Sequence, residues 1–200
     1  MPIVQHAPII LASGSTIRQQ MLKAVGLTFS VVPSGVEEDT IKAAMKDAPI
    51  AELAAALARA KTLAVSSQHP DAYTIGADQI CEHHGAILSK PGSYDRAEAQ
   101  LATLSGSTHT QHCAVSVARG GEILWQFHDT ATLTMRALSA PDIHAYVAAD
   151  APLSSCGAYK FEGLGRHLFA RVEGDHDVVQ GLALVPLLAE LHALGVIALA

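Results

Sequence analysis

The sequence predicts an α/β fold: a mixed, twisted sheet flanked by helices. Three observations carry this expectation. Strand-like and helix-like segments alternate through the first hundred residues. The middle of the chain then turns antiparallel, with two long apolar stretches joined by Arg119-Gly-Gly-Glu122. Finally, 200 residues suffice for one large domain, or for two lobes around a central cleft. No repeat, low-complexity tract or linker divides the chain, so residues 1–200 are expected to form a single domain.

Taken in order, residues 8–12 read as a buried strand, Ser13-Gly-Ser15 as a turn and N-cap, and 16–25 as a helix ending at Gly26. Residues 27–33 read as a second strand, and Val36-Glu-Glu-Asp39 as an acidic loop. An Ala-rich helix is expected over 49–67, with an apolar stripe through Ile50, Leu53, Ala54, Leu57 and Ala64. Residues 75–91 read as an apolar strand ending in the carboxylate of Asp78, then a turn and a return strand ending in Lys90-Pro91. A helix over 94–104 has Ser93 as its cap and Gly106 as its stop. Paired strands over 109–119 and 122–136 lead to a short helix from about 140. An irregular Gly-rich stretch (151–166), a strand (167–172) and a helix over about 180–194 complete the chain.

Half of the residues are hydrophobic and few are aromatic, so Ala, Leu and Val must build the core. The formal net charge of −6, with 13 Lys plus Arg, argues against a nucleic-acid-binding face. It leaves room for a small anionic ligand held by a few focused cations. Cys81, Cys113 and Cys156 are far apart and form no C-x-x-C pair, so reduced thiols in a cytoplasmic protein are expected. The N-terminal residues lack the basic stretch and apolar core of a signal peptide. The apolar region from Leu182 to Ala200 is interrupted by Pro186, Glu190 and His192, which suits a core helix and not a membrane span.

Several residues have the chemistry of a phosphate site. Ser13 and Ser15 precede a helix whose positive end favours anions, and Arg18 lies one turn in. An ordinary strand–turn–helix corner with a solvated arginine has the same pattern, and no P-loop occurs. Lys61 falls on the apolar stripe, where it either snorkels to solvent or meets an anion. Among Glu37, Glu38 and Asp39, either all are solvated or one joins Asp78 in an oxygen site for Mg²⁺. His83 and His84 sit at the hairpin turn and read as solvated. Lys160 and Glu162 face the same way in extended chain. They form either a surface ion pair or a site in which Glu162 accepts from the N1–H and N2–H₂ edge of guanine.

Leu11-Ala-Ser-Gly-Ser-Thr-Ile-Arg18, Glu38, Lys61, Asp78-Gln79, Lys90-Pro91, Leu104-Ser-Gly-x-x-His109 and Gly157-Ala-Tyr-Lys-Phe-Glu-Gly-Leu-Gly165 occur in this order. In this, residues 8–195 resemble the Maf family, whose members cleave nucleoside triphosphates between the α- and β-phosphates to a monophosphate and pyrophosphate. The resemblance implies a Maf/ITPase-like fold with a cleft between two lobes, a divalent cation (Mg²⁺ or Mn²⁺), a cytoplasmic location and, in many members, a homodimer. By position, Asp78 corresponds to the family's proton acceptor. Arg18, Glu38, Lys61 and Lys90 correspond to its charged set, and Glu38 and Asp78 would hold the metal. The three specificity positions read Ile17, Gln79 and Glu162. Two match the branch acting on 7-methyl-GTP (Trp, Gln, Glu), whereas the dTTP/UTP branch has Arg, Thr and Gln. Ile17 departs from the aromatic residue that would stack on the methylated base. Thr16 replaces the usual Pro, and Gly181-Leu-Ala183 replaces Gly-Leu-Pro. The expected function is therefore metal-dependent hydrolysis of a nucleoside triphosphate, with 7-methyl-GTP as substrate. The alternatives are dTTP or UTP, or a nucleotide-binding regulator of septum formation with little turnover. Asp78 and Gln79 would face opposite sides of a regular strand, so both line one pocket only where the strand ends or bulges.

Overall fold

The computed structural model describes residues 3–200. Its principal sheet has the strand order β3-β2-β4-β6-β7-β8, with β5 paired to β4 off this path. Helices flank this mixed sheet, as the sequence predicts. The chain folds as two compact units. Among the described residues, the first comprises residues 3–78, Cys113–Asp129 and Gly181–Ala200, and the second Gln79–His112 and Thr130–Gln180.

In the first unit, β2 (Ile9–Leu11) is wholly buried and pairs in parallel with β3 (Ser30–Val31) and β4 (Tyr73–His83). Helix α1 (Thr16–Ala24) starts where the Ser15 side chain accepts from Arg18 N–H. It stops before Gly26, whose φ of +81° suits glycine. Helix α3 (Ile50–Ser66) buries Leu53, Ala54, Leu57, Ala58, Thr62 and Val65. It lies close on β4 because residue 76 is glycine: a Cβ there would come within 2.1 Å of Thr62 Oγ1. Thr62 Oγ1 also meets Ser116 Oγ at 2.5 Å, fixing the helix to β6 (Thr108–Arg119). The hairpin from β6 to β7 (Glu122–Met135) turns on Gly120 and Gly121, both at positive φ.

In the second unit, β5 (Ala86–Leu88) returns antiparallel on the end of β4. His84 and Gly85 form that turn, both at positive φ. Helices α4 (Tyr94–Leu104), capped by Ser93, and α5 (Ala140–Asp150), opened by a Ser139/Asp142 capping box, pack together. A 3-10 helix (Leu164–Leu168), β8 (Phe169–Glu173) and the short α6 (His176–Val179) follow. Back in the first unit, the chain ends in α7 (Leu184–Ala193) and β9 (Ile197–Leu199), which pairs antiparallel with β1 (Ile3–Gln5).

Several boundaries differ from expectation. Strand β4 does not end at Asp78 but continues five residues to His83, with Asp78 and Gln79 consecutive in an unbroken strand. The acidic loop is in part a helix, α2 (Glu38–Ala44), which starts at Glu38. The strand expected over 27–33 forms ladder pairs only at Ser30 and Val31. The last helix begins at Leu184, after Gly181 at φ +90°. His83 is buried and shares a hydrogen bond with Ser107 Oγ at 2.9 Å, so only His84 is the solvated turn residue. None of the three cysteines forms a disulfide among the described residues. No helix among the described residues is long and apolar enough to cross a membrane.

Candidate functional site

Helix α3 carries Lys61 beside its contact with β4, and the strand presents Asp78 to it. Lys61 Nζ donates to Asp78 Oδ1 at 2.5 Å and lies 2.7 Å from Glu38 Oε1. Of the two fates open to this lysine, the structure has it meeting anions. Its side chain is 12% exposed and that of Asp78 9%, so the pair is shielded and its attraction exceeds that of a surface ion pair. Glu38 opens α2, and Lys42 one turn later meets its other oxygen, Oε2, at 3.1 Å. Burial on its own would raise the Glu38 carboxyl. The hydrogen bond and charge of Lys61, then those of Lys42, outweigh this and hold it at about 2. Lys42 moves the other way: burial opposes its charge, but Glu38 raises its affinity for a proton.

Arg18 is buried and mostly occupied. Its Nε donates to Gly181 O at 2.7 Å, and its Nη1 to Ala77 O at 2.9 Å and Ser13 Oγ at 3.1 Å. Nη2 makes no hydrogen bond to the described residues, and its two donors are the part of the fork left for a ligand. The arginine therefore ties α1 to the residue preceding Asp78, instead of standing solvated. Ser13 Oγ also accepts from Ser15 N–H at 3.3 Å, while Ser15 is committed to capping α1. Ile17 is half-buried on the first turn of that helix.

The remaining expected residues lie in the second unit. Gln79 donates from Nε2 to Val179 O at 2.6 Å and Val178 O at 3.2 Å, which leaves its carbonyl oxygen as an acceptor. Lys90 is exposed just beyond β5. Lys160 and Glu162 are not an ion pair: Lys160 Nζ donates to the backbone carbonyl of Asp150 and lies 3.8 Å from its carboxylate, while Glu162 stands exposed. Tyr146 Oη accepts from Lys160 N–H at 2.9 Å.

Sequence reasoning missed Lys42, Gln111, Tyr146 and Tyr159. Lys42 had a legible signal, an i,i+4 pairing with Glu38, but it was hidden by taking 36–39 as a loop. Gln111 and His109, two apart in an apolar strand, also formed a readable pattern of buried polar groups.

The chemistry of the charged cluster suits a hard cation. Glu38 and Asp78 supply carboxylate oxygens close to one ammonium group, and Mg²⁺ needs only one or two carboxylates when phosphate oxygens complete its shell. Among the described residues, no group of three or more His, Cys, Asp or Glu side chains gathers as a ready-made metal site.

Comparison with known proteins agrees with the reading of the motifs. Residues 8–194 match the family described as Maf-like protein. A nucleoside triphosphate pyrophosphatase of Legionella pneumophila is 44% identical over 97% of both chains. One from Nitrobacter winogradskyi is 44% identical over 93% of both. The solved Ham1 protein of Staphylococcus aureus covers 92% of this chain and 99% of its own at 16% identity and a TM-score of 0.43, too loose a likeness to bear on function. Motifs in register from Leu11 to Gly165, a family match over residues 8–194 and 44% identity across nearly the full length lead to one conclusion: the chain belongs to the Maf family.

Proposed function

We propose that this protein is a nucleoside triphosphate pyrophosphatase that hydrolyses 7-methyl-GTP to 7-methyl-GMP and pyrophosphate with a divalent cation. The pyrophosphatase activity follows from family membership and from the activity named for relatives at 44% identity. The observation that carries its assignment to residues is the shielded chain Glu38–Lys61–Asp78, an ammonium held between two carboxylates on α3, α2 and β4.

In this reading, Asp78 orients the attacking water and takes its proton. Lys61 fixes the Asp78 carboxylate through Oδ1 and leaves Oδ2 for that work. The water attacks the α-phosphorus, the bond to the bridging oxygen breaks, and pyrophosphate departs. Arg18 Nη2, Lys61 and Lys90 balance charge on the triphosphate. Ser13 keeps its hydroxyl proton for a phosphate oxygen, because its Oγ already accepts from Arg18 and Ser15. Glu38 and Asp78 would hold Mg²⁺ or Mn²⁺, which when bound polarises the phosphate and offsets its charge.

The base assignment rests on Glu162, because Gln79 follows Asp78 in an unbroken strand and its side chain leaves the opposite face of β4. The exposed carboxylate of Glu162 is an acceptor, and guanine offers N–H donors. Thymine and uracil present carbonyls that a carboxylate repels. Ile17 gives an apolar contact without a π face. Lys160 is committed to Asp150 and steadies the loop that carries Glu162. A cytoplasmic location and a homodimer rest on the family resemblance. Pyrophosphate release from 7-methyl-GTP, GTP, dTTP and UTP, with and without Mg²⁺, tests this reading. It is supported by metal-dependent monophosphate formation fastest on 7-methyl-GTP. Faster cleavage of dTTP or UTP would overturn the base assignment, and tight binding without cleavage would favour a regulator over an enzyme.

A further inference from the structure

The pyrophosphatase reading uses Glu162 but gives no part to His109, Gln111, Tyr146 or Tyr159, all of them buried. His109 and Gln111 lie two apart on β6, so their side chains leave the same face of the strand. Both meet one atom. Tyr159 Oη accepts from Gln111 Nε2 at 2.7 Å and shares a hydrogen bond with His109 Nε2 at 2.9 Å. Burial, then the neighbouring His83, holds His109 down at about 4, and burial raises the Tyr159 phenol, so both are neutral at pH 7. The next residue is pinned as well. Lys160 N–H donates to Tyr146 Oη at 2.9 Å, and Tyr146 Oη donates to Asp150 Oδ2 at 2.8 Å. The carbonyl of Lys160 then accepts from Gly165 N–H at 3.1 Å and Gly163 N–H at 3.3 Å. A Cβ on Gly165 would lie 2.4 Å from that carbonyl, so only glycine lets the turn close. Glu162 stands exposed within this closed turn.

We infer that His109, Gln111 and Tyr146 are positioning residues for base selection: they anchor Tyr159 and the Lys160 amide so that the turn carrying Glu162 is rigid. The inference rests on the reading that Glu162 meets the edge of the base. A fixed acceptor loses no freedom when the matching base binds. A carboxylate that could swing away would escape repulsion from a mismatched base, and discrimination would fade. Packing alone does not require these hydrogen bonds, since a phenylalanine at 159 would keep the edge contact with Phe169.

The test compares kcat/KM for 7-methyl-GTP and UTP in the wild type, Tyr159→Phe and Tyr146→Phe, with amide hydrogen exchange across 157–165 and the thermal midpoint of each. Each substitution is expected to move the ratio of the two kcat/KM values about tenfold toward unity, through KM for the preferred base, the scale of freezing one or two side chains. UTP turnover stays within about threefold and exchange at 160–165 rises, as expected for a locally loosened loop. An equal fall on both substrates, or unchanged exchange in both variants, overturns the inference. A wild type with no base preference removes the reading of Glu162 and this inference with it. A wild-type preference that survives both substitutions removes the inference alone. If Tyr159→Phe does not fold, Tyr146→Phe decides the outcome by the same criteria.

Discussion

The Glu38–Lys61–Asp78 cluster and the turn around Lys160 hold functional side chains by different means. The cluster uses charge: one ammonium sits on two carboxylates, and a second lysine, Lys42, holds the outer one. The turn relies mainly on hydrogen bonds of uncharged groups, with two tyrosine hydroxyls as anchors and charge entering only through Asp150, and leaves the carboxylate of Glu162 exposed. The difference matches the role proposed for each. A group that stabilises a developing charge benefits from fixed counter-charges in a shielded place. A group that distinguishes bases needs a fixed direction with its lone pairs open, and an ion pair would occupy them.

The two regions should respond differently to substitution. The largest expected effect is on Lys61→Met, which leaves two carboxylates facing each other without their cation. A loss of ~3 kcal/mol in urea unfolding is expected, the scale of breaking a buried pair from one side. Asp78→Asn should keep the fold and lose at least ~10²-fold in turnover, the lower end of a general base's contribution. Steady-state kinetics on the folded variant checks this, and near-normal activity would remove Asp78 from the mechanism. Tyr159→Phe strands the buried Gln111 amide donor and removes the partner of His109 Nε2, and should cost ~1–2 kcal/mol in the same unfolding assay. That cost should be insensitive to added salt, because no charge is involved.

The smallest effect sharpens the electrostatic side. Glu38 holds its proton less tightly when folded, near 2 in place of an ordinary 4.5. Its contribution is therefore complete above about 4.5 and is lost as the pH falls toward 2. Stability of the wild type should drop more steeply across that window than stability of Glu38→Gln, as chemical denaturation at several pH values would reveal. Parallel curves would mean that Lys61 and Lys42 do not hold the carboxylate.

Much of this was legible in the chain. Caps at Ser15 and Ser93, the double-glycine turn at 120–121 and the stripe on α3 each act through local chemistry, and the structure follows them. Lys61 stood out because a cation on an apolar face needs a partner. Three features stayed hidden for physical reasons. Helix α2 buries none of its residues, so it has no apolar period to read. Strand β4 runs through Asp78 because Lys61 compensates the charge, a fact that lies seventeen residues away. The anchors of Tyr159 come from residues 48 and 50 positions earlier in the chain, and no local pattern connects them.

The division of labour is tested most directly by crossing the two regions with two bases. Measuring kcat/KM for 7-methyl-GTP and UTP in Asp78→Asn and Glu162→Gln gives four numbers to set against the wild type. Asp78→Asn is expected to depress both substrates by the same factor and leave their ratio unchanged. Glu162→Gln is expected to keep UTP turnover within about threefold while reducing the preference for 7-methyl-GTP by at least tenfold, well inside the ~10⁴-fold that unpaired polar groups can supply. An Asp78→Asn enzyme that shifts the ratio, or a Glu162→Gln enzyme that lowers both rates equally, would contradict the separation of chemistry from base selection.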